Sequence, residues 1–155
     1  MQKIVIWATD GSEGAEAALT GARRLGVLDG AHILAVHIDQ RLDGRAAGWP
    51  VLADEQDRRV LIRERVEKLA RELDIELVVL RSHRESADMV AFEAAERSAD
   101  LIVCGTRGLG ALPGMFLGSF TQRLLHLAPC PVLAVRLAEV KARVEDEVPT
   151  AGAVA

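Results

Sequence analysis

Five short runs of branched apolar residues, each set apart from the next by a stretch of helical length, constrain this chain more than any other feature. They are IVIWA (4–8), HILAVHI (32–38), IELVVLRS (75–82), DLIVCG (100–105) and PVLAVRL (131–137). Such runs, bounded by turn-forming residues, read as buried strands. Between the first two, Ala15, Ala18, Leu19, Ala22 and Leu25 are spaced for one face of a helix over 13–25, with Gly26 as its stop. The stretch 54–73 carries Ile62, Val66, Leu69 and Leu73 at offsets of four, seven and eleven, a second amphipathic helix. Ser86 is placed to cap a third, reaching about Ser98 and burying Val90, Ala91, Ala94 and Ala95; Ser119 to Leu127 forms a fourth. The stretch 40–53, with Gly44, Gly48 and Pro50, reads as a loop, and Asp54, Glu55 and Asp57 as an acidic helix start. Strict alternation of strand and helix implies right-handed βαβ crossovers. The expected fold is a doubly wound α/β domain, a parallel sheet with helices on both faces.

Composition agrees and excludes several functions. Half of the 155 residues are apolar, but only five are aromatic, so the core must be Val, Ile, Leu and Ala. The net charge of −4 is spread over interspersed acids and bases, without the basic stripe that nucleic-acid binding demands. No run approaches the ~20 apolar residues of a membrane span. The start, MQKIVIWATD, is too short in apolar residues for a signal peptide, so a cytoplasmic protein is expected. Cys104 and Cys130 are read as two buried thiols in a reducing compartment. From Glu139 the chain turns polar and ends in PTAGAVA, a flexible tail over 139–155 after a domain spanning 1–138.

The stretch CGTRGLGALPGMFLGSFT (104–121) holds five of the 13 glycines, between the fourth strand and a helix start. In open α/β sheets ligands bind beyond the carboxyl ends of the strands, where the winding reverses. With strand order 3-2-1-4-5, this loop and Thr9-Asp10-Gly11-Ser12 would leave neighbouring strand ends. A Walker A loop fails, because Ala111 stands where the lysine should follow Gly110; a dinucleotide fingerprint fails at Pro113. What remains is Gly105-x2-Gly108-x9-Gly118-Ser119, in which Gly118-Ser119 opens a helix whose unpaired N–H groups favour an anion. Ser119 and Thr121 add hydroxyls and Arg107 a positive charge. The plain alternative is a long loop whose end merely starts a helix.

Three stretches carry a family resemblance: IVIWATDGSEGAEAAL, DLIVCGTRGLG and LGSFTQRLLHLAPCPVLAVR. From Lys3 to about Arg136 the chain resembles the universal stress proteins, single-domain type, and it keeps the G-x2-G-x9-G-[ST] pattern of their nucleotide-binding branch. The resemblance implies a Rossmann-like sheet of order 3-2-1-4-5, related to adenine nucleotide alpha hydrolases. It implies an ATP-binding stress-response protein, dimeric through its last strand (131–137). Carried over residue by residue, it implies that Ala8 and Thr9 line the base pocket with backbone. Asp10 would lie by the ribose and phosphates through Mg²⁺ or Mn²⁺, and His37 would meet the adenine edge through its main chain. Gly105, Arg107 and Gly108 would flank the ribose and α-phosphate, and Gly118, Ser119, Phe120 and Thr121 the outer phosphates. Two departures stand out: His37 replaces a usual aliphatic residue, and Ser82-His83-Arg84 replaces a glycine, narrowing the pocket or bringing Arg84 near a phosphate. Cyclic AMP, bound by some members, stays open as the ligand.

Against these roles, Asp10 could simply shape an Asx turn with Gly11, and the His37 side chain reads as packing. His32, His83 and His126 share no metal-ligand spacing with cysteines or carboxylates. No histidine or cation obviously activates Cys104. Phosphoryl transfer needs a placed nucleophile and concentrated positive charge, which the loop lacks, so slow or absent ATP hydrolysis is expected. A slow ATPase and a nucleotide-free interaction module remain as rivals.

Overall fold

The structure, a computed structural model, describes residues 2–40, 53–107 and 117–137, without the side chains of 53–55. The elements run β1 (Ile4–Ala8), α1 (Glu13–Arg24), β2 (His32–Gln40), α2 (Ala53–Glu72), β3 (Glu76–Ser82), α3 (Ser86–Glu96), β4 (Leu101–Gly105), α4 (Ser119–Leu127) and β5 (Val132–Val135). All strands are parallel, in the order β3-β2-β1-β4-β5. The doubly wound topology expected from the alternation is therefore present. Its switch point falls between β1 and β4.

Each sheet face has its own core. Ile6, Leu34, Val36 and Ile102 point toward α3 and α4, meeting Val90, Ala94 and Leu124. Val5, Trp7, Ala35 and Val103 point the other way, meeting Ala18, Leu19 and Ala22 of α1. Ala18, Ala22 and Ala94 have no exposed surface. A methyl side chain at these positions lets the helix backbone lie close to the sheet. Helix α2 covers its edge of the sheet loosely: Val66 and Ala70 are buried, whereas Ile62, Leu69 and Leu73 are half-buried.

Local signals set the helix ends. Ser12 caps α1, its Oγ accepting from the Ala15 N–H over 3.2 Å. Gly26, at φ +67°, ends α1 in the left-handed region, as its sequence position foretold. The expected cap at Ser86 is not formed. Glu85 holds the N-cap position without a side-chain bond, and Ser86 is the first helical residue. Ala95 is exposed; Ala87 and Glu93 are buried in its stead. The helix turns slightly further than the apolar spacing implied, and the aliphatic part of Glu93 fills the interior while its carboxylate takes Arg97 Nε at 2.9 Å. Cys104 is buried, but Cys130 is only half-buried. The loop expected over 40–53 lies outside the described residues beyond Gln40, as does the tail beyond Leu137.

Candidate functional site

The carboxyl ends of β1 and β4 are neighbours, joined in register at Val5–Leu101, Ile6–Ile102 and Trp7–Val103. Above them, the loop Thr9–Ser12 is tied down bond by bond. The Thr9 N–H donates to the Val36 carbonyl over 3.0 Å, and the Thr9 carbonyl lies 2.9 Å from His37 Nδ1. Thr9 Oγ1 accepts from the Gly11 N–H at 3.2 Å, and Asp10 Oδ1 from the Ser12 N–H at 3.0 Å. Asp10 thus forms the Asx turn, and the same bond fixes its half-buried carboxylate beside the switch point. The turn and the binding role are compatible.

On the β4 side, the chain is drawn tightly against the first turn of α1. A Cβ on Gly105 would lie 2.8 Å from the Gly14 carbonyl oxygen, and one on Gly14 would lie 2.8 Å from that of Arg107. Both contacts are with backbone, which cannot step aside. The bare space at Gly105 is therefore filled by α1. The family resemblance implies a ribose beside Gly105 and no role for Gly14, the glycine in the first turn of an alanine-rich helix.

Helix α4 starts at the same place. The Gly118 N–H donates to the Thr106 carbonyl over 2.8 Å, docking the helix start on the end of β4. Gly118 is the N-cap and supplies no side-chain acceptor, so the leading N–H groups of α4 receive no cap from it. Ser119 is exposed and Phe120 half-buried against the α3–α4 core. Thr121 is only 1% exposed, and its hydroxyl donates to the Gly105 carbonyl at 2.9 Å. That bond ties the hydroxyl of an expected phosphate contact to the end of β4. Arg107 is exposed at the rim, and Gly108 lies outside the described residues. Ala8 is buried at the end of β1.

Other candidates fall elsewhere. Arg84 lines a surface hollow with Asp88 and Arg123 on the α3–α4 side, and its charge helps Arg123 hold the Asp88 carboxyl below its ordinary value. The His32 Nε2 is 3.0 Å from Glu76 Oε2, at the opposite end of the sheet. Burial pushes the Cys104 thiol up to about 11, partly opposed by its side-chain interaction with Thr121. That makes it a poor nucleophile. Among the described residues no group of three or more metal-ligating side chains occurs, and no helix is long and apolar enough to cross a membrane.

Fold and site together define a doubly wound α/β domain with a glycine-shaped switch point and an uncapped helix start beside it. The chain belongs to the universal stress protein family, whose sequence pattern matches residues 1–136. A universal stress protein from Thermus aquaticus, encoded beside a QAH/OAS sulfhydrylase, is 37% identical over 144 residues, covering 88% of this chain and all of that protein. Universal stress protein UspA from Lactobacillus plantarum superposes with a TM-score of 0.68 at 22% identity, over 86% of this chain and 97% of that one. A universal stress protein in complex with cAMP superposes with a TM-score of 0.59 at 24% identity, over 86% and 96% of the two chains. The Archaeoglobus fulgidus protein in complex with dAMP gives 0.57 at 24% identity, over 86% and 97%.

Proposed function

We propose that this chain binds an adenine nucleotide, ATP with Mg²⁺ or Mn²⁺, across the carboxyl ends of β1 and β4. On this reading it serves the stress response as a nucleotide-loaded cytoplasmic regulator that hydrolyses its ligand slowly or not at all. The observation that carries the reading is the start of α4, which has no side-chain cap and is docked on β4 next to the Asp10 loop. Leading N–H groups of a helix, with its dipole, favour phosphate oxygens. The solved relatives holding cAMP and dAMP support the adenine nucleotide as the ligand class.

The donor set fits a divalent cation of one kind. Asp10 offers a single placed carboxylate, which suits a cation held mainly by phosphate oxygens and water and not one caged by protein. Such a cation would neutralise phosphate charge; Asp10, anchored by the Ser12 N–H, would orient it. Ala8 and Thr9 then border the base, Arg107 and Gly108 the inner phosphate, and Gly118, Ser119 and Phe120 the outer phosphates.

The homodimer is proposed to form through β5. Its residues Val132 to Val135 are all half-exposed on the outer edge of the sheet, where an unpaired strand invites its twin. Free thiols at Cys104 and Cys130 suit the reducing cytoplasm.

The test is to purify the protein without added nucleotide, denature it and identify what is released by mass spectrometry, then titrate it with ATP, cAMP and dAMP. ATP near one per chain supports the reading; ADP or AMP favours the hydrolase. Tighter binding of cAMP than of ATP reassigns the ligand. No release and no binding would leave the interaction module standing.

A further inference from the structure

The His37 side chain, expected to serve packing, is put to another use by the fold. Thr9 and His37 lie on the α1–α2 face of the sheet, one step beyond Trp7 and Ala35, which pair across β1 and β2. The regular ladder between these strands stops at Ala8–Val36. One more backbone bond follows, Thr9 N–H to the Val36 carbonyl, and then the Thr9 carbonyl meets the imidazole at 2.9 Å. A carbonyl only accepts, so the proton of that bond sits on Nδ1. His37 is only 7% exposed, and a donor kept this far from water holds its acceptor firmly.

A chain of local bonds continues from this point. The Gly11 amide bonds to the Thr9 hydroxyl, the Ser12 amide to the Asp10 carboxylate, and the Ala15 amide to the Ser12 hydroxyl. We propose that His37 is a positioning residue: by holding the Thr9 carbonyl, its imidazole sets where β1 leaves the sheet and where the Asp10 carboxylate stands. An aliphatic residue would fill the same space without directing that carbonyl. The nucleotide part of this inference rests on the function proposed above; the placement of the loop does not.

Two variants separate the donor from the bulk. His37→Leu keeps an apolar body and loses the donor. His37→Asn keeps a nitrogen donor at the distance of Nδ1 from the backbone. Amide hydrogen exchange, followed by NMR, is read at Gly11 and Ser12. In His37→Leu both amides are expected to exchange about tenfold faster while the β1 amides keep their rates, and His37→Asn restores protection. Affinity for ATP is expected to fall about tenfold in the leucine variant and to recover in the asparagine one. Unchanged exchange in His37→Leu, or equal acceleration in both variants, overturns the inference whether or not any nucleotide binds. A wild type that binds none of the nucleotides while the exchange pattern holds would sink the proposed function and leave His37 as the anchor of the loop. If His37→Leu does not fold, His37→Gln takes its place, with the donor one bond too far out, and the same exchange criteria apply.

Discussion

The Thr121 hydroxyl, in the first turn of α4, donates to the Gly105 carbonyl, the last residue of β4, over 2.9 Å. Strand end and helix start are thus joined directly, across the loop that separates them in sequence. Thr121→Val keeps the shape and removes the donor, leaving a buried carbonyl unpaired. We expect a loss of about 1–3 kcal/mol in urea unfolding, mostly regained in Thr121→Ser. Equal stability of the valine variant would show that the bond contributes nothing.

Gly105 and Gly118 should respond unequally to alanine. At Gly105 the new Cβ meets backbone of Gly14 at 2.8 and 2.9 Å, so we expect roughly 1–3 kcal/mol of destabilisation by the same assay. At Gly118, where φ is −71° and the nearest atom to a Cβ is the Thr106 carbonyl oxygen at 3.4 Å, the change should lie within about 0.5 kcal/mol. Gly118→Val then probes the ligand: a folded variant with weakened ATP binding is expected from the proposed site. Undiminished binding would mean that phosphates do not approach Gly118.

The edge of β5 offers a separable test of dimerisation. The Pro131 and Val135 carbonyls accept from Ile102 and Thr106, so the odd-numbered residues turn their backbone groups toward β4. By the alternation of a strand, the N–H of Ala134 faces outward. Ala134→Pro removes that outward donor and spares the β4 ladder, as edge positions tolerate. Light scattering is expected to show a dimer for the wild type and a monomer for Ala134→Pro, with the fold retained by circular dichroism. A dimer that survives the proline pairs elsewhere.

Alkaline stability should report on Cys104. Its thiol is raised from 9.0 to about 11 by burial, with the side-chain interaction with Thr121 acting the other way. The folded form keeps a proton that the unfolded form releases, so stability is whole below pH 9 and declines as pH rises toward 11. The full loss is about 2–3 kcal/mol. No tyrosine titrates in that window, since the chain has none. Urea unfolding from pH 8 to 11 should show the decline in the wild type and a flatter curve in Cys104→Ala. Parallel curves would assign the decline to other groups.

What could be read from the sequence follows from what each signal measures. Apolar periodicity reports which face is buried, and it placed every strand and helix within a few residues; the strand order that makes β1 and β4 neighbours came from the family resemblance. Ala95 slipped because alanine carries too little apolar surface to fix a helix rotation. The glycine spacing singled out the loop after β4 but not what Gly105 does there, because Gly105 answers to Gly14, distant in sequence. The assignments of Thr121 to Gly105 and of His37 to Thr9 had no local signal at all. A hydroxyl or an imidazole in a string of residues does not say which carbonyl it will meet.

Trp7 lies beneath the α1 turn. Its indole has no exposed surface, and Nε1 donates to the Ala15 carbonyl over 2.8 Å, in the same turn that packs Gly14 against Gly105. The emission of an indole depends on that bond and on its dryness. The chain therefore carries a built-in optical gauge beneath its switch point: with the second tryptophan, Trp49, changed to phenylalanine, the colour of a single residue follows any shift of the α1 turn, without a label.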